Sequence, residues 1–200
     1  MTKIKICGLT RPCDIAAVNA SKPDYIGFVF AESRRRVTAE QAAELKRQLS
    51  PGIMAVGVFV DEKPEKIAAL VQSGVIGMIQ LHGAEDDEYI ERLKRLTARD
   101  SNVGYAAHGV PIIKANAHSQ AADYLLFDSP TPGSGKVFDW DTLGKTTKPF
   151  FLAGGLNAEN VAEAIQKTAP FAVDTSSGVE TNGLKDERKI ETFIRRIRDE

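Results

Sequence analysis

The segment YIGFVFAESRRRVTAEQAAELKRQLSPGIMAVGVFV, residues 25–60, decides the fold class because it holds two apolar runs joined by a helical pattern. The runs are YIGFVF at residues 25–30 and IMAVGVFV at residues 53–60. Continuous apolar runs are typical of parallel strands that are buried on both faces of a sheet. Between them, Thr38 and Gln41 form a capping-box signature at the start of a helix. The segment therefore predicts one β-α-β unit of a parallel sheet.

The same alternation continues along the chain and gives eight predicted strands, each followed by a crossover. The predicted strands are residues 3–6, 25–30, 53–60, 78–81, 112–115, 124–127, 150–153 and 171–173. The predicted helices are residues 11–19, 38–48, 64–72, 85–96, 158–167 and 186–198, with a short segment at 119–122 and a short helix near Asp139. Eight consecutive units favour a closed (β/α)₈ barrel, whereas five or six would favour an open doubly wound sheet. We therefore expect one α/β domain, a TIM barrel, over residues 1–200.

Composition and charge exclude several classes of protein. The net charge of −1 argues against a nucleic-acid partner, because binding to phosphate backbones requires a basic excess. The apolar stretches are shorter than the ~20 residues of a membrane helix, and Met1 to Lys3 leads into a strand rather than a signal peptide. The two cysteines, Cys7 and Cys13, are too few for a disulfide scaffold or a zinc site. We therefore expect reduced thiols in a cytoplasmic protein that has no membrane or nucleic-acid partner.

In a (β/α)₈ barrel the active site forms at the carboxyl ends of the strands. Residues with useful chemistry stand there in this chain: Cys7, residues 33–35, His82, Lys114, Asp128, Gly154-Gly155 and Ser176 to Gly178. The two glycine-containing loops follow strands seven and eight, which is the usual phosphate site of this fold. Glycines let backbone amides approach an anion closely. The sequence therefore predicts a phosphate-binding site in these loops.

The remaining strand-end residues each have two interpretations. Cys7 is either a packing residue or a general base, and Asp128 is either an N-cap or the general acid that would partner it. One of Arg34 to Arg36 either clamps a carboxylate through a bidentate contact or belongs to a solvated charge run. His82 is either a hydrogen-bonded structural residue or a substrate contact, and Lys114 either pairs with buried carboxylates or binds ligand. We interpret three other candidates as structural or surface residues, namely Cys13, His108 and His118. Trp140 is interpreted as a packing anchor.

Six motifs, in order along the whole chain, make it resemble the phosphoribosylanthranilate isomerase family of tryptophan biosynthesis. They are Lys5-Ile6-Cys7-Gly8, Gln80-Leu81-His82-Gly83, Leu126-Phe127-Asp128-Ser129, Phe138-Asp139-Trp140, Leu152-Ala153-Gly154-Gly155-Leu156 and Asp174-Thr175-Ser176-Ser177-Gly178-Val179-Glu180. The resemblance implies a (β/α)₈ barrel that catalyses an Amadori rearrangement of a phosphosugar without a metal or organic cofactor. It implies that Asp128 is the general acid and Cys7 the general base. The substrate-binding residues that follow from it are Arg35, His82, Gly154, Gly155, Asp174, Ser176, Ser177 and Gly178.

The chain departs from the family pattern without losing a catalytic residue. The family's Ser-Pro-Arg reads Ser33-Arg34-Arg35 here, and the register favours Arg35 as the arginine at the anthranilate end of the substrate. Two smaller departures are the loop Pro132-Gly133-Ser134-Gly135 and Thr175 beside the phosphate loop. The oligomeric state is expected to be a monomer or a homodimer.

Two other functions are compatible with a phosphate-binding barrel. One is a different phosphosugar enzyme, such as an epimerase or the sugar isomerase of histidine biosynthesis. That isomerase is similar in its reaction but uses an aspartate at the position of Cys7, so the thiol argues against this alternative. The other is a noncatalytic sensor of phosphate ligands, which would tolerate the loss of Cys7 or Asp128, whereas both are present.

Overall fold

The computed structural model describes residues 1–98, 109–116, 118–128, 140 and 146–199. In these residues eight parallel strands close into one barrel, in the order of the sequence, because β1 pairs with both β2 and β8. The strands are β1 Lys3–Cys7, β2 Tyr25–Val29, β3 Met54–Phe59, β4 Met78–Leu81, β5 Ile112–Ala115, β6 Tyr124–Phe127, β7 Phe150–Leu152 and β8 Ala172–Thr175. The predicted (β/α)₈ barrel is confirmed.

Six helices of the described residues surround the barrel. They are α1 Pro12–Ser21, α2 Ala39–Arg47, α3 Pro64–Gln72, α4 Asp87–Thr97, α5 Val161–Thr168 and α6 Glu187–Arg198. The capping box at α2 is confirmed, since Thr38 accepts from the Gln41 amide and the Gln41 side chain accepts from the Thr38 amide. The predicted loop at residues 130–135, the helix near Asp139 and His108 lie outside the described residues.

The starts of two helices differ from the prediction by two or more residues, for local reasons. Helix α4 begins at Asp87, two residues later than predicted, because the Glu85 carboxylate accepts from the amides of Asp61 and Gly83. Helix α5 begins at Val161 rather than residue 158, because the side chains of Asn157 and Asn160 bind backbone amides of the preceding turn. Such side-chain bonds compete with the helical hydrogen-bond pattern.

The barrel strands are packed on both sides, as their apolar runs predict. Ile4 and Ile6 of β1 are completely buried in the larger core cluster, which also contains residues of α1 and α6. A smaller apolar cluster comes from β3 to β8 and includes Met78, Leu126 and Phe151. Side chains alternate between the two faces of a strand. Lys5 and Cys7 therefore point away from the helices and toward the inside of the barrel.

A small hairpin extends the carboxyl end of the barrel after β8. Ser177–Val179 forms one 3₁₀ turn, and β9 Glu180–Thr181 pairs antiparallel with β10 Leu184–Lys185. The amide of Asp186 donates to the Val179 carbonyl, and the Asp186 side chain caps α6 by accepting from the Arg188 and Lys189 amides. These contacts fix the hairpin beside the strand ends where the candidate site residues lie.

Candidate active site

A cavity of about 450 Å³ opens at the carboxyl ends of the barrel strands. Of the residues predicted for catalysis or substrate binding, all except Gly178 line this cavity. The lining residues are Cys7, Arg35, His82, Asp128, Gly154, Gly155, Asp174, Ser176 and Ser177. They come from the ends of six different strands or from the loops that follow them. The structure therefore brings the predicted site residues together in one concave site.

Cys7 is the last residue of β1, and its thiol lies over a glycine of the neighbouring strand. A Cβ atom on Gly27, its register partner on β2, would lie 2.6 Å from the Cys7 sulfur. The Cys7 carbonyl accepts from the Ser176 hydroxyl at 2.9 Å. Burial raises the pKa of the Cys7 thiol, while the positive charges of Lys5 and Lys185 oppose that rise. The Cys7 thiol thus lies against Gly27 and is subject to the positive charges of Lys5 and Lys185.

Lys5 and Asp174 form a buried ion pair next to Cys7. The Lys5 ammonium lies 2.6 Å from Asp174 Oδ2, on adjacent strands and in register. Burial disfavours the charged form of Lys5, but the Asp174 carboxylate and Cys7 outweigh burial, so the pKa of Lys5 is raised. Among the described residues, Asp174 Oδ1 has no hydrogen-bond partner, although it is buried and Asp174 lines the cavity.

Asp128 lies at the end of β6, near an imidazole held by two amide side chains. His82 Nε2 is 3.8 Å from Asp128 Oδ2 and 3.4 Å from Asn116 Nδ2, while His82 Nδ1 is 3.4 Å from Gln80 Nε2. Burial, followed by the charge of Lys5, lowers the pKa of His82. The imidazole is therefore neutral near pH 7 and serves as a polar neighbour of Asp128 rather than as a cation.

Arg35 is held at the rim of the cavity by a carboxylate of the hairpin. Its Nε and Nη2 donate to the two oxygens of Glu180 at 2.6 and 2.9 Å. Lys185 and Arg34 also donate to Glu180, at 2.6 and 2.7 Å. The Arg35 side chain is 16% exposed, whereas that of Arg34 is 58% exposed and lies outside the cavity lining. Glu180 accepts from the Nε–H and from one N–H of Nη2. The outer edge of the guanidinium, formed by Nη1 and the other N–H of Nη2, can bind a second carboxylate.

The two glycine-containing loops contact each other closely. Gly154 and Gly155 have φ values of 87° and 68°, a conformation that favours glycine. A Cβ atom on Gly178 would lie 1.9 Å from the Leu156 carbonyl oxygen, which also accepts from Thr175 Oγ1. Gly178 therefore packs the loop after β8 against the loop after β7. This contact gives Gly178 a packing role, and its predicted role in substrate binding stays a prediction.

Lys114 pairs with a buried carboxylate, which was the structural one of its two interpretations. Its ammonium lies 3.0 Å from Glu85 Oε2 and 2.5 Å from the Gly83 carbonyl oxygen, and it is buried. Cys13 and His118 are exposed, as expected for surface residues. Trp140 packs against the larger core cluster, as expected for a packing anchor.

Sequence reasoning missed four residues of the site, which are Lys5, Asn116, Glu180 and Lys185. One signal could have found Lys5, because a charged residue inside an apolar strand requires a buried partner. It also stands two positions before Cys7 and so shares its face of the strand. Glu180 and Lys185 gave no such signal, since their proximity to Arg35 depends on a loop conformation.

Comparisons with known proteins point to one family. The family model for N-(5'phosphoribosyl)anthranilate (PRA) isomerase matches residues 4–196. The chain belongs to the phosphoribosylanthranilate isomerase family. An N-(5'-phosphoribosyl)anthranilate isomerase of Endomicrobium trichonymphae is 45% identical to it, over 99% of each chain.

Solved structures of phosphoribosylanthranilate isomerases share the fold over the whole chain. The enzyme from Thermus thermophilus superposes with a TM-score of 0.84 at 32% identity, covering 99% of each chain. Another was solved in complex with reduced 1-(o-carboxyphenylamino)-1-deoxyribulose 5-phosphate, with a TM-score of 0.80, 32% identity and full coverage of both chains. In the part of the chain that the structure describes, no helix has the length and apolar character needed to cross a membrane.

Proposed function

We propose that this chain catalyses the Amadori rearrangement of N-(5-phosphoribosyl)anthranilate to 1-(2-carboxyphenylamino)-1-deoxyribulose 5-phosphate in tryptophan biosynthesis. The observation that carries the proposal is that one cavity contains both a thiol and a carboxylic acid group, Cys7 and Asp128, in a chain of this family. Opening a sugar ring requires an acid at the ring oxygen, and moving the double bond requires a base at carbon. The two side chains supply these two functions.

In the first step Asp128 gives a proton to the furanose oxygen. The C1–O bond breaks, and the nitrogen lone pair forms a C=N bond, which gives an open-chain Schiff base. In the second step the Cys7 thiolate removes the C2 proton, and the electrons of that C–H bond form an enolamine. Tautomerisation of the enolamine then gives the ketone product. Asp128 acts at the ring oxygen and Cys7 acts at C2, so the acid and the base are two separate groups.

Binding groups at two ends of the cavity place the sugar between acid and base. We assign the phosphate to the loops that contain Gly154-Gly155 and Ser176-Ser177, and the anthranilate carboxylate to Arg35. Asp174 Oδ1, buried and lining the cavity, is suited to accept a hydrogen bond from a sugar hydroxyl. His82 contributes through its contact with Asp128. Holding both ends of the substrate lowers the entropic cost of reaching the reactive geometry.

The protein is proposed to act in the cytoplasm on its small-molecule phosphosugar, as a monomer or a homodimer. Both cysteines are free thiols, which agrees with a reducing compartment. The net charge of −1 gives no electrostatic basis for a nucleic-acid partner.

Loss of anthranilate-substrate fluorescence in the presence of the purified wild-type chain tests the proposed function. We expect the fluorescence to decay with multiple turnovers, and the product to be the aminodeoxyribulose phosphate by mass and chromatography. A Cys7→Ala/Asp128→Ala double variant serves as the matched control. A wild-type rate equal to that of the control would disprove the proposed reaction.

Arg35 is expected to determine KM rather than kcat. Arg35→Lys keeps the charge but loses the planar guanidinium that can bind two carboxylates at once. Loss of one charge-assisted contact costs about 1.5–3 kcal/mol, so KM should rise roughly 10-fold to 100-fold with little change in kcat. Steady-state kinetics would measure both constants. Arg34→Lys is the comparison variant, because that side chain is exposed, and an equal effect of both substitutions would contradict the assignment of Arg35.

A further inference from the structure

The inner face of β1 carries a fully buried lysine directly beneath the thiol of the active site. Lys5 is 0% exposed and precedes Cys7 by two residues, so both side chains lie on the same face of the strand. Asp174, the register partner of Lys5 on β8, holds the ammonium at 2.6 Å through Oδ2. Burying a lysine is costly and is seldom found without a partner.

We propose that Lys5 is a positioning residue that stabilises the thiolate of Cys7, and that Asp174 holds the Lys5 ammonium beside the sulfur. This inference rests on the proposed function only in assigning Cys7 as the base. It goes beyond the acid–base pair, because it names the group that makes a buried thiol able to lose its proton. A thiolate is the reactive form of cysteine, and neighbouring cations favour it.

Electrostatics supports this assignment. Burial raises the pKa of Cys7, so the thiolate needs compensating positive charge, and Lys5 is the strongest source of it ahead of Lys185. The charge of Lys5 also reaches across the barrel to His82, where it helps to lower the pKa of the imidazole. Lys5 itself stays protonated, because Asp174 and Cys7 raise its pKa in spite of burial. A permanent cation therefore faces the sulfur.

Other charged groups facing Cys7 act in both directions. Asp174 on β8 raises the pKa of the thiol, and Lys185 on β10 lowers it. Asp174 also carries a charge interaction with Asp128, which lies at the end of β6. Lys185 is tied to Glu180 and to the Ser176 carbonyl, so its ammonium is committed to the hairpin. Lys5 has a single carboxylate partner in the described residues, and this leaves it as the main cation for Cys7.

The alkylation rate of Cys7 with iodoacetamide, measured against pH, tests this proposal directly. Every variant would carry Cys13→Ser, since Cys13 is an exposed thiol and would otherwise react as well. Lys5→Met is expected to shift the alkylation profile to higher pH and to lower the rate at pH 7.5 more than tenfold. Asp174→Asn is the reference variant, in which Lys5 is kept and its carboxylate partner is replaced by a neutral amide. A purely structural role of Lys5 would leave the pH dependence of alkylation unchanged.

Removal of one partner alone leaves an unpaired buried charge and can prevent folding. The double variant Lys5→Met/Asp174→Asn replaces both charges with neutral groups of similar size and keeps the test valid. Its profile should lie at higher pH than that of Asp174→Asn, because the two differ only in the Lys5 charge. Circular dichroism would confirm that each variant is folded. A double-variant profile that coincides with that of Asp174→Asn, or a folded Lys5→Met variant whose profile coincides with the wild type, would overturn the proposal.

Turnover provides a second and separate measurement. The kcat of the folded variant lacking Lys5 should fall more than tenfold at pH 7.5 and recover in part at higher pH, where the thiol ionises without help. Alkylation does not involve the isomerase substrate, so the two proposals fail in different ways. Altered alkylation in an enzyme without isomerase activity would disprove the proposed function alone. Normal isomerase activity with unchanged alkylation would disprove the role of Lys5 alone.

Discussion

Replacing Cys7 with alanine is expected to lower kcat by about 10²–10⁴-fold, the range for loss of a general base. The C2 proton is bound to carbon, so water in the site is a poor substitute for a thiolate placed next to it. The change removes one sulfur atom, and the thiol lies against Gly27, which has no side chain to be left unsupported. The fold and the binding groups at both ends of the cavity should therefore persist. Steady-state kinetics would give the loss in kcat.

Binding of a product analogue separates loss of catalysis from loss of structure in this variant. The Kd of Cys7→Ala for reduced 1-(o-carboxyphenylamino)-1-deoxyribulose 5-phosphate should remain close to that of the wild type. Cys13→Ser is the matched control, because Cys13 is the exposed thiol on α1 and should leave both kcat and Kd unchanged. A Cys7→Ala enzyme with nearly wild-type kcat would show that another group removes the C2 proton.

Replacing Asp128 with alanine is expected to lower kcat by a similar factor, about 10²–10⁴-fold. The furanose ring does not open readily unless its oxygen receives a proton as the C1–O bond breaks. Asp128→Asn provides a stricter test, since an amide keeps the size and the polarity but cannot transfer the proton. Both variants should bind the product analogue, which is already open-chain, with nearly wild-type Kd. Stopped-flow or steady-state assays of substrate fluorescence would measure the rate.

A matched control for Asp128 is Asp199→Asn, because Asp199 is an exposed carboxylate after α6 and its side chain is 72% exposed. It should behave as the wild type in every measurement. A substrate with its ring already opened would refine the test, since Asp128→Asn should turn it over at a nearly normal rate. If Asp128→Asn instead kept full activity on the cyclic substrate, the assignment of the general acid would be wrong.

Much of the barrel could be predicted because its strands are short apolar runs between clear helical patterns. The bounds of β4, β5, β6 and α3 match the prediction. Strand β8 was predicted too short, because its last residues, Asp174 and Thr175, are polar and buried at the barrel mouth. A polar strand end resembles a loop in sequence, although here it carries part of the site.

The position of a candidate site residue was predictable wherever it ends its strand, as Cys7 does, or directly follows it, as Asp128 does. The partners that hold those residues were less accessible to sequence reasoning. Glu180 contacts Arg35 across 145 positions of the sequence, through a hairpin whose conformation the local pattern does not specify. The partnership of Lys5 with Asp174 likewise depends on barrel closure between the first and the last strand. Contacts of this kind require the three-dimensional fold.

The hairpin of Glu180 and Lys185 also has a consequence for the growing polypeptide on the ribosome. Chains are synthesised from the amino terminus, so Cys7 and Arg35 leave the ribosome early, long before the carboxylates that hold Lys5 and Arg35 in the finished structure. A nascent chain that ends before β8 therefore has neither the ion pair beneath the thiol nor the support of the arginine. Catalytic competence is therefore acquired only once Asp174 and Glu180 have been synthesised, so chains that terminate before them should be inert however much of the barrel they contain.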